Sequence, residues 1–116
     1  MSSALQQNNT WPIINLMMGL FFVFYLILML PYCVYILQSE KDRMFYIGYT
    51  TNLEKRLIDH NKGGTKSTAP RRPLKLIFCE YYLSKADAMR REKYFKTTKG
   101  KKALKLMLRE TIQELI

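Results

Sequence analysis

The sequence predicts a small α+β domain, built on a three-stranded antiparallel-type sheet flanked by helices and preceded by an apolar N-terminal helix. Three observations carry this expectation. Two short runs rich in β-branched and aromatic residues, YCVYILQ and MFYIGYT, lie on either side of a polar connector of hairpin length. A third such run, LKLIFCEYYL, lies farther along, and helix-capping patterns open the segments that follow the second and third runs. At 116 residues there is room for one compact domain. The chain is therefore expected to divide into a leader over residues 1–31 and a domain over residues 32–116.

Each element has its own warrant. Residues 1–10 are polar and uncharged, and are expected to be weakly ordered. Residues 13–30 are apolar apart from Asn15 and Gly19. As a helix this stretch with its flanks spans roughly 27–30 Å, the thickness of a bilayer's hydrocarbon core. Trp11 and Tyr32 flank it as interfacial aromatics do, so residues 12–30 are expected to anchor the chain in a membrane. The basic segment beyond would then lie in the cytoplasm by the positive-inside rule. The alternative is a cytoplasmic protein that begins at Met29, directly before the first strand.

Pro31 ends the helical pattern, and residues 32–38 and 44–50 read as paired strands, with Gly48 marking a bulge or a close backbone approach. Thr51 to Glu54 form a capping-box pattern that opens a helix to about residue 61. Residues 62–73 carry Gly, Pro and basic residues without periodicity and are expected as a loop. Residues 74–83 form the third strand, and Ser84 opens a helix to about residue 96. Residues 97–102 read as a break. Leu104, Met107, Leu108, Ile112 and Leu115 then mark a final helix over 103–116.

Charge narrows the function. The first charged side chain is Glu40, so all 19 Lys and Arg and all 9 Asp and Glu lie from residue 40 onward. A net charge of +10 confined to that part favours a polyanion, either nucleic acid or an anionic lipid surface. Cys33 and Cys79 lie in apolar runs without metal-ligand spacing, which fits buried free thiols. A single histidine, His60, excludes a His-rich metal centre.

On the first predicted helix of the domain, Leu53, Arg56, Leu57 and His60 share one side. On the second, Ala88, Met89, Glu92 and Phe95 do the same, which puts a carboxylate on a packing face while Arg90, Arg91 and Lys93 point elsewhere. Such a carboxylate requires a cation, a metal or hydrogen bonds. An Arg56–Glu92 ion pair meets that need as well as a metal does. Tyr35 and Tyr46, taken alone, pass as ordinary sheet residues.

Order and spacing add more. Cys33-Val34-Tyr35, then Tyr46-Ile47-Gly48, Arg56 eight residues past the glycine, His60 and Glu92 together resemble the GIY-YIG nuclease family. YIGYTTNLEKRLIDHN is similar to the family's strand-turn-helix core, and AMRRE to the wording that ends on its catalytic glutamate. The first motif departs from the family name, with Cys33 where glycine stands. The resemblance covers about residues 32–96. Within the family the chain looks most like the compact single-domain proteins related to the nuclease module of bacterial excision repair.

The resemblance implies an endonuclease cutting DNA, or RNA, in repair or recombination. Glu92 would be the single protein ligand of a divalent ion, Mg²⁺ by preference, since that ion keeps most of its waters. Arg56 would bind the scissile phosphate through its fork of donors. Tyr35 and Tyr46 would position or deprotonate the attacking water, and His60 would assist proton transfer or contact phosphate. Lys62, Lys66, Arg71 and Arg72, with Lys99, Lys101 and Lys102, would track the nucleic-acid backbone. Many relatives carry an asparagine after the glutamate helix; TTKGKK stands here instead. No obligate protein partner and no sequence-specific target are expected. Two readings compete: a binding module with a weak or inactive site, and a small membrane protein whose basic domain binds lipid.

Overall fold

A computed structural model describes residues 10–114; within that range the side chains of residues 26–28 and 114 are outside the description. The expectation for the first nine residues, and for Leu115, falls outside the described residues. The chain divides into two compact units, Met1–Leu30 and Pro31–Ile116.

The first unit contains helix α1 (Trp11–Met29), an apolar helix with no acidic residue in its first turn and no basic residue in its last. Among the described residues no helix is long and apolar enough to cross a membrane. The expected membrane anchor over residues 12–30, and with it a single-pass arrangement, is therefore not supported.

The second unit is built on strands β1 (Tyr32–Ser39), β2 (Phe45–Thr50) and β3 (Leu74–Tyr82), in the order β2-β1-β3 with both pairings antiparallel. Being central, β1 is covered on both faces, and Cys33 to Ser39 are all buried. This explains why its sequence is apolar at consecutive positions rather than alternating. Val34 and Ile36 face one core with Ile47, Ala88, Phe95, Leu104 and Leu108. Cys33, Tyr35 and Leu37 face the other, with Leu74 buried and Leu53 and Leu57 packed against it. Cys33 and Cys79 are free thiols, the first buried and the second only half-buried. Burial pushes the Cys33 thiol up to about 12.

The two cores are roofed by different helices. Helix α2 (Leu53–Asn61) covers the Tyr35 face; helices α3 (Lys85–Phe95), α4 (Thr98–Met107) and α5 (Arg109–Glu114) belong to the other. The cap of α2 is Asn52, whose side chain accepts from the Lys55 amide, rather than the Thr51 of the expected box. Between α2 and β3 the expected loop contains a 3₁₀ turn, Ala69–Arg71.

Residues 97–102 are not a break. Thr97 accepts from the Gly100 amide and starts α4 there, five residues earlier than the apolar spacing suggests. Gly100 permits this: a Cβ on it would overlap the Tyr94 carbonyl oxygen, so only glycine lets α4 turn back so tightly on α3. The expected final helix over 103–116 is likewise two helices, meeting at Leu108. Arg91, expected to point away from the packed face, instead bonds Glu80 on β3 through both Nε and Nη2 at 3.0 Å and lies 4.2 Å over the Phe95 ring. It therefore clamps α3 to the sheet.

Candidate active site

Tyr35 lies at the middle of the central strand and is fully buried. Its register partner on β2 is Gly48. A Cβ at position 48 would overlap the tyrosine's Cζ and hydroxyl. Glycine is therefore required so that the phenol can lie across the neighbouring strand, the close approach that its place in β2 suggests.

The phenol reaches the first helix of the domain. Tyr35 Oη is 2.9 Å from His60 Nε2, and His60 Nδ1 is 2.8 Å from Thr68 Oγ1. His60 is on the last turn of α2 and is fully buried, on the side it shares with Leu53 and Leu57. Tyr46 closes the group, its ring 4.8 Å from the imidazole in an edge-on contact and 6.2 Å from the Tyr35 ring.

Arg56, one turn before His60, stands beside both phenols, and its Nε is a buried donor with no hydrogen-bond partner among the described residues. Nearly every buried polar group in a folded protein is paired, so an orphaned guanidinium N–H is a feature that packing alone does not explain.

The group tunes itself. Burial pushes the Tyr35 phenol up to about 12, while the neighbouring Arg56 guanidinium pulls the other way. Arg56 is held above its ordinary value, chiefly by the Tyr35 phenol. His60 is lowered, first by burial and then by the Arg56 charge, against a smaller opposing effect of Asp59. Its imidazole is thus neutral through the physiological range and able to accept a proton.

A pH dependence follows from the lowered His60. The unfolded histidine binds a proton at higher pH than the folded one, so its contribution to stability is complete above about 6.5. It is lost as pH falls through the lower folded value. Chemical denaturation from pH 8 to pH 4 should show a midpoint that declines below about 6.5, and His60→Gln should flatten that part of the decline. An unchanged slope in His60→Gln would show that His60 does not carry it.

Glu92 is on α3, roofing the opposite face of the sheet, with its side chain 17 % exposed. Its carboxylate meets the exposed Lys96 at 3.7 Å and contributes to raising the Tyr49 phenol, after burial and Tyr32. Among the described residues Arg56 and Glu92 form no ion pair with each other, so the structural alternative for the pair does not hold. Tyr35, Tyr46, Arg56 and His60 are brought together; Glu92 stands apart from them, beside Tyr49 of the edge strand β2.

The basic residues divide. Lys62, Lys66, Lys99, Lys101 and Lys102 are exposed, the last three on the first turns of α4. Arg71 is committed inside the domain: Nε meets Asp42 at 3.1 Å, and its carbonyl accepts from Ser39 Oγ at 2.6 Å. It ties the 3₁₀ turn to the β1–β2 hairpin, a reason against the expected backbone contact. Arg72 donates to the Ala69 carbonyl at 2.8 Å. Sequence reasoning missed Thr68. A threonine in a Gly- and Lys-rich loop carries no periodic or motif signal, and only folding brings it onto His60.

Known proteins resemble the same part of this chain. The model of the GIY-YIG catalytic domain matches residues 31–105. The UPF0213 protein SH2523 of Staphylococcus haemolyticus is 45 % identical over 80 residues, covering 68 % of this chain and 96 % of that protein. The UPF0213 protein YazA of Bacillus subtilis is 44 % identical over 78 residues, covering 66 % of this chain and 79 % of that one. A solution NMR structure of the UPF0213 protein BH0048 from Bacillus halodurans, 37 % identical, aligns with a TM-score of 0.44 over 66 % of this chain and 83 % of that one.

Proposed function

The chain belongs to the GIY-YIG family of nucleases, and on that premise we propose that it is a metal-dependent endonuclease hydrolysing DNA phosphodiester bonds. The observation that carries the reading is the buried, unpartnered Nε of Arg56 beside a tyrosine already bonded to a neutral histidine. A phosphate oxygen is the acceptor that this donor lacks.

The chain's residues divide the work. Arg56 binds the scissile phosphate and stabilises the charge that develops on it. Tyr35 takes a proton from the attacking water while passing its own to His60, because the phenol, raised to about 12, does not ionise by itself at neutral pH. Tyr46, edge-on to the imidazole, completes the wall that orients that water.

Glu92 is the residue that would hold a divalent ion, Mg²⁺ in this reading. The donor set fits. The carboxylate is half-buried, and its one ion-pair partner among the described residues is an exposed lysine. No cluster of three or more His, Cys, Asp or Glu competes for a metal among the described residues. A hard ion that keeps most of its waters accepts such a single carboxylate. When bound, it would supply Lewis-acid chemistry; because α3 roofs the face of the sheet opposite Tyr35, that chemistry would reach a phosphate on Arg56 only past the edge strand β2, where Glu92 stands beside Tyr49. The exposed lysines contact phosphate and carry no sequence information, which favours structure-dependent or nonspecific cutting, with repair or recombination as the setting.

The test is incubation of the full chain with branched, flapped and duplex DNA, and with RNA, with and without Mg²⁺. Cleavage is expected only with the ion, and Tyr46→Phe is expected to lower it by about 10²-fold with unchanged folding. Binding without cutting under every condition would replace the enzyme by a binding module, and metal-independent cutting would remove Glu92 from the mechanism.

A further inference from the structure

Thr68 belongs to no catalytic pattern in the sequence, yet it is fully buried. Its Oγ1 stands 2.8 Å from His60 Nδ1 and donates to the Thr65 carbonyl at 3.3 Å. Across the imidazole, Nε2 stands 2.9 Å from the Tyr35 hydroxyl. Both ring nitrogens therefore have a partner, and a neutral imidazole has one proton to divide between them. The Thr68 hydroxyl proton points to the Thr65 carbonyl, which also accepts from the Thr68 and Ala69 amides, and a proton placed there is not available to Nδ1. The Thr68 lone pairs are left facing Nδ1, which then carries the ring proton, and Nε2 offers a bare lone pair to the Tyr35 O–H.

The opposite tautomer fits less well. Thr68 would have to donate to Nδ1 and abandon Thr65. Nε2–H would then be aimed at a phenol oxygen that already has the donor-only Arg56 guanidinium beside it.

We propose that Thr68 is a positioning residue for cleavage: its hydroxyl holds His60 in the Nδ1–H tautomer, so that Nε2 is free to take the Tyr35 proton. Its catalytic consequence rests on the nuclease reading of the site, whereas the tautomer is a property of the resting protein. In the step, the Tyr35 O–H bond breaks and an Nε2–H bond forms. The electron pair stays on the phenolate oxygen, which takes a proton from the attacking water. The imidazolium keeps its Nδ1–H on Thr68. In the other tautomer Nε2 already holds a proton and the transfer has no acceptor.

His60 is the single histidine of the chain, so an imidazole ¹H–¹⁵N correlation spectrum of the full-length protein reads its tautomer directly. Wild type and Thr68→Ser are expected to show a protonated Nδ1 and a bare Nε2. Thr68→Val keeps the shape but leaves Nδ1–H without an acceptor. It should shift the ring toward the Nε2–H form and lower kcat by about 10–100-fold, the usual weight of an outer partner that orients a histidine, with KM for DNA unchanged. Wild-type protein with a protonated Nε2 would overturn the proposal. So would a Thr68→Val that retains both the Nδ1–H tautomer and full kcat. Should Thr68→Val not fold, the wild-type and Thr68→Ser spectra decide. A wild type that shows the Nδ1–H tautomer but cuts no nucleic acid sinks the nuclease reading and leaves Thr68's control of the ring standing.

Discussion

Replacing Glu92 by glutamine is expected to lower metal-dependent cleavage by about a thousandfold or more and to leave the fold intact. A metal held at a phosphoryl centre supplies several kcal/mol of transition-state stabilisation, and each factor of ten in rate is about 1.4 kcal/mol. Three orders of magnitude is therefore the natural scale for losing the one carboxylate in the donor set. The structural cost is small by comparison. The partner of Glu92 in this structure is Lys96, at 3.7 Å and 54 % exposed, and such screened pairs contribute no more than about 0.5 kcal/mol. The amide is isosteric and half-buried, so the unfolding midpoint should hardly move. Activity against Mg²⁺ concentration and a urea titration, run together, separate the two effects. A Glu92→Gln protein that cuts at the wild-type rate would show that the metal, if one acts, is held elsewhere.

Gly48→Ala is the second large effect, and its physics is different. No charge is lost and no donor is removed. The added methyl falls on Cζ and the hydroxyl of Tyr35, a ring that is fully buried and cannot swing into solvent. Either the phenol leaves its 2.9 Å contact with His60 or β2 separates from β1. Displacement of a reacting group by about 1 Å costs on the order of 10²-fold in rate, and overpacking a core costs about 1–3 kcal/mol. The expected result is a protein that folds with a lower denaturation midpoint and cleaves about a hundredfold more slowly. In its ¹⁵N spectrum the His60 Nε2 signal should move, because its donor has moved. Wild-type cleavage in Gly48→Ala would mean that the Tyr35 hydroxyl does not need its position across β2.

How far the sequence was legible depends on how local each cause is. The strand at residues 32–39, the hairpin that follows it and the helix at residues 53–61 could be read because alternating or continuous apolar character and capping residues act over a few positions. The helix at residues 98–107 could not. Its start is decided by Thr97 accepting from Gly100 and by a glycine pressed on the Tyr94 carbonyl, a contact that periodicity does not record. Arg91 is the same case: helical spacing points it away from the packed face, but its partner Glu80 is on another element. Arg71 reads in sequence as one more phosphate contact in a basic loop, and folding puts Asp42 beside it.

For the site, the sequence by itself determined which residues are present and in what order: two tyrosines, an arginine, a histidine and a glutamate whose spacing points to one family. It also placed all the positive charge on the part of the chain that carries them. Tertiary structure alone decided their relations. Packing put His60 in the core against Tyr35 and left Arg56 Nε without a partner. It set Glu92 on the far face of the sheet and brought Thr68 in to hold the imidazole. Periodicity along one helix tells which side a residue faces, but a hydrogen bond is made between elements. Which donor meets which acceptor is settled only when β1, β2, α2 and the loop after it are packed together.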